Sequence, residues 1–165
     1  FNLIEPIKCA VSDREELVRV YFGGSLNSGS STCIPSADNR NRLSFEEVNS
    51  ITLDRWSIQA DELEIDLVKI DVEGYELCVL RGMKRILDNS SCRPVLFVEH
   101  NGKTLGNGRN STDEIVTYLA SYGFNPFDVS DKTLRYYAGG DRNLVMYIHK
   151  SESELLKLIN ATTFD

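Results

Sequence analysis

Hydrophobic residues in this chain fall into short unbroken runs that alternate with stretches spaced by three and four, and the sharpest example of each meets at Gly74. Ile65, Leu67, Val68, Ile70 and Val72 are too continuously apolar for a strand with one wet face. They predict a strand covered on both sides, as in a parallel sheet flanked by helices. Beyond Gly74 the period changes. Val79, Leu80, Met83, Ile86 and Leu87 recur at helical spacing, with Arg81, Lys84, Arg85 and Asp88 on the other side. Glu76 shares the apolar face with Leu80, Met83 and Leu87, so its carboxylate is expected to be buried against the sheet unless it overlooks a cleft.

The other runs extend this reading. Ile4 to Val11 reads as a strand ending on Ser12-Asp13, and Leu17 to Phe22 as a second. Gly23 to Arg42, dominated by Gly, Ser and Asn, is a long loop, either mobile or a binding lid. Ser44 to Ile51 fits neither template. Thr52 to Ala60 predicts a short helix capped by Thr52. Val95 to His100 repeats the buried-strand pattern and also stops on polar residues, so pairing of the two runs would bring Asp71 together with Glu99 and His100. Ser111-Thr112-Asp113-Glu114 is a capping box opening a helix that carries Ile115, Val116, Leu119 and Ala120 and stops at Gly123. Phe124 to Val129 and Asn143 to His149 complete the strands, and Ser151 to Glu154 caps a closing helix. Strands alternating with helices through 165 residues predict one α/β domain with a mainly parallel sheet.

Composition narrows the partners. A formal net charge of −7 and an isoelectric point near 4.9 argue against nucleic acid or anionic lipid, and no apolar run is long enough to span a bilayer. Cys9, Cys33, Cys78 and Cys92 form no C-x-x-C pair and have no histidine at ligand spacing, so no metal is expected on them; Cys9 and Cys78 read as core residues. Sequons at Asn89, Asn110 and Asn160, with no charged segment leading into an apolar core near Phe1, leave the compartment open between the cytoplasm and the secretory pathway. The oligomeric state is open too.

Asp71 stands at the carboxyl end of the central strand, where open α/β sheets bind ligands, and Gly74 removes a side chain where a ligand or another backbone must come close. The alternative is that Asp71 and Glu73 cap the helix and favour its positive end, but capping needs one acid and this stretch has three. Gly102-Lys103-Thr104 is similar to the end of a phosphate-binding P-loop, yet Phe97 stands where the first glycine belongs. No G-x-G-x-x-G or looser glycine-rich turn precedes the central strand, although a nucleotide-type cofactor normally uses one.

Lys69-Ile70-Asp71-Val72-Glu73-Gly74-Tyr75-Glu76, followed by Val79-Leu80-Arg81-Gly82, resembles the signature of FkbM-type methyltransferases. Ala10-Val11-Ser12-Asp13 resembles the family's "AVSD" strand end, Thr52-Leu53-Asp54 its "TLD" and Val98-Glu99-His100 its "VEH", in the family's order. The resemblance implies a Rossmann-like class I methyltransferase fold, a mostly parallel seven-stranded sheet whose antiparallel last strand is inserted beside its neighbours. It implies S-adenosylmethionine as cofactor and O-methylation of a sugar, glycan or other small-molecule or natural-product acceptor. Ser12, Asp13, Asp71 and Gly74 would then line the cofactor, with Asp13 accepting from the adenine amino group. The family's first two strands and glycine-rich loop have no counterpart, so the chain reads as the carboxyl-terminal part of a domain, inactive in isolation, with a split sheet and unpaired edges. The competing reading is a non-catalytic module on the same scaffold, against which the retained acids speak.

Methyl transfer from a sulfonium to a hydroxyl requires close positioning and a base within hydrogen-bond reach of the proton that is lost. Asp71, Glu73 and His100 are the candidate catalytic residues. A carboxylate about 4 Å from the sulfonium would gain roughly 4 kcal/mol in the ground state at an effective dielectric near 20, and lose it as the charge is neutralised. A catalytic carboxylate therefore belongs on the hydroxyl side. His100, with an ordinary pKa of about 6.5, suits proton removal near neutral pH, with Glu99 or Asp71 orienting it; the plain alternative is a surface histidine. Lys69, on the same strand face as Asp71, is expected to pair with Glu99 or Glu73.

Overall fold

The computed structural model describes residues 4–22, 31–33, 44–60, 64–89, 91, 93–101, 111–129, 134–140, 142–152, 155 and 157. Gly102-Lys103-Thr104, most of the Gly23 to Arg42 loop, Cys92, the sequon asparagines 110 and 160 and most of the closing helix lie outside the described residues. In chain order the elements are β1 Ala10–Val11, β2 Leu17–Tyr21, β3 Phe45–Ile51, α1 Leu53–Gln59, β4 Leu67–Ile70, α2 Glu76–Arg81, α3 Lys84–Asp88, β5 Val95–His100, α4 Thr112–Ser121, β6 Phe124–Asp128, β7 Arg135–Tyr136 and β8 Arg142–His149. Among the described residues no helix is long and apolar enough to cross a membrane.

These strands form two sheets, ordered β1-β3-β2 and β4-β5-β8-β6-β7. The pairs β1–β3 and β4–β5 are parallel; β2 runs antiparallel to β3, β8 antiparallel to both β5 and β6, and β7 antiparallel to β6. The architecture is mixed α/β, and both sheets are mixed where alternation predicted a mainly parallel one. Parallel neighbours need a crossover, usually a helix, and no described helix separates β2 from β3 or β6 from β7 and β8.

The core lies between the larger sheet and its helices. Ile70, Leu77, Leu80, Met83, Leu87, Leu96, Val98, Ile115, Leu119, Val145 and Tyr147 are all buried in one cluster. Each fully buried leucine or isoleucine contributes about 1.5–3 kcal/mol of hydrophobic transfer. The helical stripe predicted after Gly74 faces this core, but over two helices. Gly82 ends α2, and Asp54 of α1 supplies the start of α3 from outside: its carboxylate accepts from the amides of Arg85 (2.8 Å) and Ile86 (3.0 Å), while its own N–H donates to the Gly82 carbonyl (3.0 Å). A cap borrowed from another element leaves no local mark in the sequence of α3.

The other two helix starts follow their sequence signals. Thr52 Oγ1 accepts from the Arg55 amide at 3.0 Å. Ser111 and Glu114 exchange both bonds of the capping box, at 3.2 and 2.8 Å.

Three strand expectations change. Ser44 to Ile51, ambiguous in sequence, contains the middle strand of the smaller sheet. The Ile4 to Val11 run is strand only at β1, because Ile4 (82% exposed) and Ile7 pack against little. β4 is the edge of its sheet and is covered on one face only: Val68 packs on the core, whereas Leu67 is 56% exposed and Lys69 is exposed. Cys9 and Cys78, expected in the core, are free and half-buried, like Cys33; Cys9 follows the exposed Ile4 to Lys8 stretch, and Cys78 sits on the side of α2 turned to Tyr75.

Candidate active site

Parallel pairing of β4 with β5 sets Ile70 opposite Val98, so the next residues, Asp71 just past β4 and Glu99 near the end of β5, lie side by side. The chain then turns at Glu73 and Gly74, both with positive φ (51° and 100°). Positive φ is routine for glycine and costs a glutamate about 1–2 kcal/mol. Thr32 Oγ1 donates to the Glu73 carbonyl at 2.8 Å, and the Gly74 amide donates to Glu76 Oε1 at 3.0 Å. The turn folds Glu73 back over the strand ends, and carboxylate oxygens of Asp71, Glu73 and Glu99 lie within 4.8 Å of one another.

Glu99 is strongly perturbed. Burial, followed by the negative charges of Glu73, Asp71 and Glu76, pushes its pKa up to about 7, against a hydrogen bond from Asn101. Its Oε2 is buried and has no hydrogen-bond partner among the described residues. Lys69 pairs with neither Glu99 nor Glu73 as expected; it bonds Asp71 at 2.7 Å, with both side chains about half exposed, because it stands on the open face of β4. Such a pair is worth about 0–1 kcal/mol. Glu76, on the apolar stripe, is only 1% exposed, and burial raises its pKa although the Gly74 amide favours the charged form.

His100 goes elsewhere. Along β5, Leu96, Val98 and His100 are buried while Val95, Phe97 and Glu99 alternate on the other face, so His100 points into the core, away from the three acids. Its Nδ1 lies 3.2 Å from Tyr137 Oη and its Nε2 2.9 Å from Tyr147 Oη. Tyr137 donates its own proton to the Gly140 carbonyl, which makes Nδ1 the protonated nitrogen and Nε2 the acceptor from Tyr147. Burial lowers the imidazole pKa to about 4.

An unfolded histidine takes up its proton near 6.5, so between about 6.5 and about 4 the unfolded state binds more protons, and stability is lost as pH falls through that window. The stability difference between the protein and His100→Gln should therefore shrink on acidification, by on the order of 3 kcal/mol over the full window at 1.36 kcal/mol per unit. Denaturant melts of both proteins at pH 7.5 and 4.5 measure it; a pH-independent difference would mean that this imidazole is not desolvated.

At the end of β1, Ser12 is fully buried. Its hydroxyl donates to Asp13 Oδ1 at 3.2 Å and lies 3.1 Å from Tyr75 Oη. Its carbonyl is pressed against Gly82, where a Cβ would come within 2.0 Å of the carbonyl oxygen. Ser12-Asp13 and the acid cluster thus flank the same Glu73–Tyr75 turn. Gly74 sits buried inside that turn with its amide committed to Glu76. Asp13, the three clustered acids and the orphaned Glu99 oxygen offer acceptors, a set that fits the amino and hydroxyl donors of an adenosine cofactor and of a hydroxylic acceptor. Two clefts, of about 610 Å³ beside Ile7, Asn49 and Trp56 and about 340 Å³ beside Arg81, Asp113 and Tyr118, are lined by none of these acids. Clustered acceptors and the perturbed titration of Glu99, rather than cavity size, mark the site.

Residues 2–126, three quarters of the chain and all of the residues just described except Tyr137, Gly140 and Tyr147, match the methyltransferase FkbM domain. This chain belongs to the FkbM methyltransferase family. No curated protein and no solved structure matches it significantly. In this FkbM domain the structure brings Ser12, Asp13, Asp71, Glu73 and Gly74, each named from the sequence motifs, around one turn. The motifs suggest only an orienting part for Glu99, although alternation from Leu96 and Val98 sets it on the opposite face from His100, and parallel register then puts it beside Asp71.

Proposed function

We propose that this FkbM domain is an S-adenosylmethionine-dependent O-methyltransferase acting on a hydroxyl of a sugar, glycan or other small-molecule or natural-product acceptor. The observation that carries this reading is the convergence of Asp71, Glu73 and Glu99 at the carboxyl ends of adjacent parallel strands, one of them titrating near neutral pH, within a methyltransferase family. The order β4-β5-β8-β6, with β8 antiparallel to both neighbours, supports a Rossmann-like class I fold.

S-adenosylmethionine supplies an electrophilic methyl group on a sulfonium. Asp13, held by Ser12 Oγ, would accept from the adenine amino group, and Gly74 lets the backbone turn tightly between Asp13 and the acids. Glu99 takes the proton of the acceptor hydroxyl. Asp71 and Glu73 accept hydrogen bonds from neighbouring hydroxyls, and their charge keeps Glu99 basic. Three clustered acids repel phosphate and carboxylate acceptors, which favours a neutral polyhydroxylated one. His100 secures β5 from the core side through its two tyrosines.

The base must be ionised to act, so kcat/KM is expected to rise about tenfold per pH unit below about 7 and level off above it. Transfer of labelled methyl from S-adenosylmethionine to a panel of sugars and polyols by the full-length protein, followed from pH 5.5 to 9, tests the proposal. A flat profile would remove Glu99 from the mechanism. Transfer to amines or carboxylates but to no hydroxyl would refute methylation of a hydroxyl acceptor.

A further inference from the structure

We infer that Glu76 is a positioning residue for this site: its buried carboxylate clamps the left-handed Glu73–Gly74 turn and so holds the Glu73 carboxylate against Asp71 and Glu99. The inference deepens the methyltransferase reading and rests on it for what is being positioned. Glu76 is the first residue of α2, and Tyr75 at the N-cap makes no side-chain capping bond. The Glu76 side chain instead folds back to accept the Gly74 amide, two residues earlier, at 3.0 Å. On the other side of the turn, Thr32 Oγ1 holds the Glu73 carbonyl at 2.8 Å. These two bonds bracket the one non-glycine residue with positive φ among the described residues, and that residue carries a site carboxylate.

An amide acceptor would serve a clamp as well as a carboxylate does, and it would avoid the cost of burying a charge with no ion-pair partner among the described residues. The carboxyl group also faces two acids of the site. It acts on Glu73 of the turn and on Glu99 of β5. The other groups facing this acidic set are Asp71 at the end of β4, Asn101 beyond β5 and Lys69, whose ammonium is bound to Asp71 and also acts on Glu99. Glu76 thus holds one acid in place and supports the basicity of another.

The test uses the whole chain, isotopically labelled, with Glu76→Ala and Glu76→Gln. Amide exchange at Gly74 and the carboxyl-carbon titration of Glu99 are read by NMR beside kcat and KM for methyl transfer. In Glu76→Ala the Gly74 amide is expected to exchange about tenfold faster or more, with kcat falling and KM nearly constant. Glutamine should restore slow exchange, because it keeps the acceptor, while the Glu99 midpoint and the acid limb of kcat/KM both move to lower pH. Unchanged exchange in the alanine variant, or exchange as fast in the glutamine variant, would overturn the clamp. Should the alanine variant not fold, Glu76→Gln decides by itself: Gly74 exchange clearly faster than in the unaltered chain, although glutamine keeps the acceptor, overturns the clamp. If the full-length protein transfers no methyl group, the methyltransferase reading fails, and the exchange and titration measurements still decide the role of Glu76 in the turn.

Discussion

Glu99→Gln is expected to slow methyl transfer by about 10²-fold or more at saturating cofactor while leaving S-adenosylmethionine affinity nearly unchanged. Glutamine keeps the shape and the neutral hydrogen-bonding capacity of the side chain but cannot take a proton near neutral pH. Loss of activity through misfolding is separable from loss of the base, because the two effects differ in sign. Glu99 has a folded pKa of about 7 against an ordinary 4.5, so between those values the folded state holds the extra proton. Stability therefore falls as pH rises through that window, and above it the wild type carries the cost of an ionised, partly desolvated carboxylate. Glu99→Gln should be at least as stable as the wild type at pH 8 and less sensitive to pH between about 4.5 and 7. A variant that turns over normally removes Glu99 as the base. One that binds cofactor tenfold more weakly, about 1.4 kcal/mol, with normal turnover at saturation would make it a cofactor ligand instead.

Gly82→Ala is expected to destabilise the fold by about 3 kcal/mol or more, lowering Tm by roughly 6–12 °C for a chain of this size. The backbone at Gly82 (φ −79°, ψ 0°) suits alanine, so the penalty is steric. A methyl group would sit 2.0 Å from the Ser12 carbonyl oxygen, 3.0 Å from its carbon and 3.3 Å from the Val79 carbonyl oxygen, all of them backbone atoms that cannot rotate aside. Ser12 is itself fixed by the hydrogen bond its amide donates to the Ile51 carbonyl, and Gly82 by the hydrogen bond its carbonyl accepts from the Asp54 amide. Relief must come from separating the end of β1 from α2, which displaces Asp13, so cofactor affinity should fall with stability. Calorimetry on the variant checks both effects. A Tm within 2 °C of the wild type would mean that the two elements are not packed at this distance.

The legible part of the fold is the part written in local chemistry. The capping box at Ser111 and Glu114, the Thr52 cap, the helical stripe from Leu80 to Leu87 and the period-two burial of Leu96, Val98 and His100 depend on residues a few positions apart, so their spacing predicts them. The family motifs are equally local and placed Asp71, Glu73 and Gly74 at one strand end. The decisions that needed the folded chain all involve which surface meets which. Alternation separates Glu99 from His100, but only packing says that the tyrosine side is the core and the Asp71 side the site. An edge strand and an interior strand can share one apolar run, so Leu67 and Lys69 on the open face of β4 were not foreseeable. The break between α2 and α3 depends on Asp54 and Ser12, distant in sequence, pressing on Gly82. The pKa of Glu99 likewise belongs to no residue alone: it arises because four carboxylates from two strand ends, a turn and a helix start share one partly desolvated volume, an arrangement that exists only once the sheet has formed.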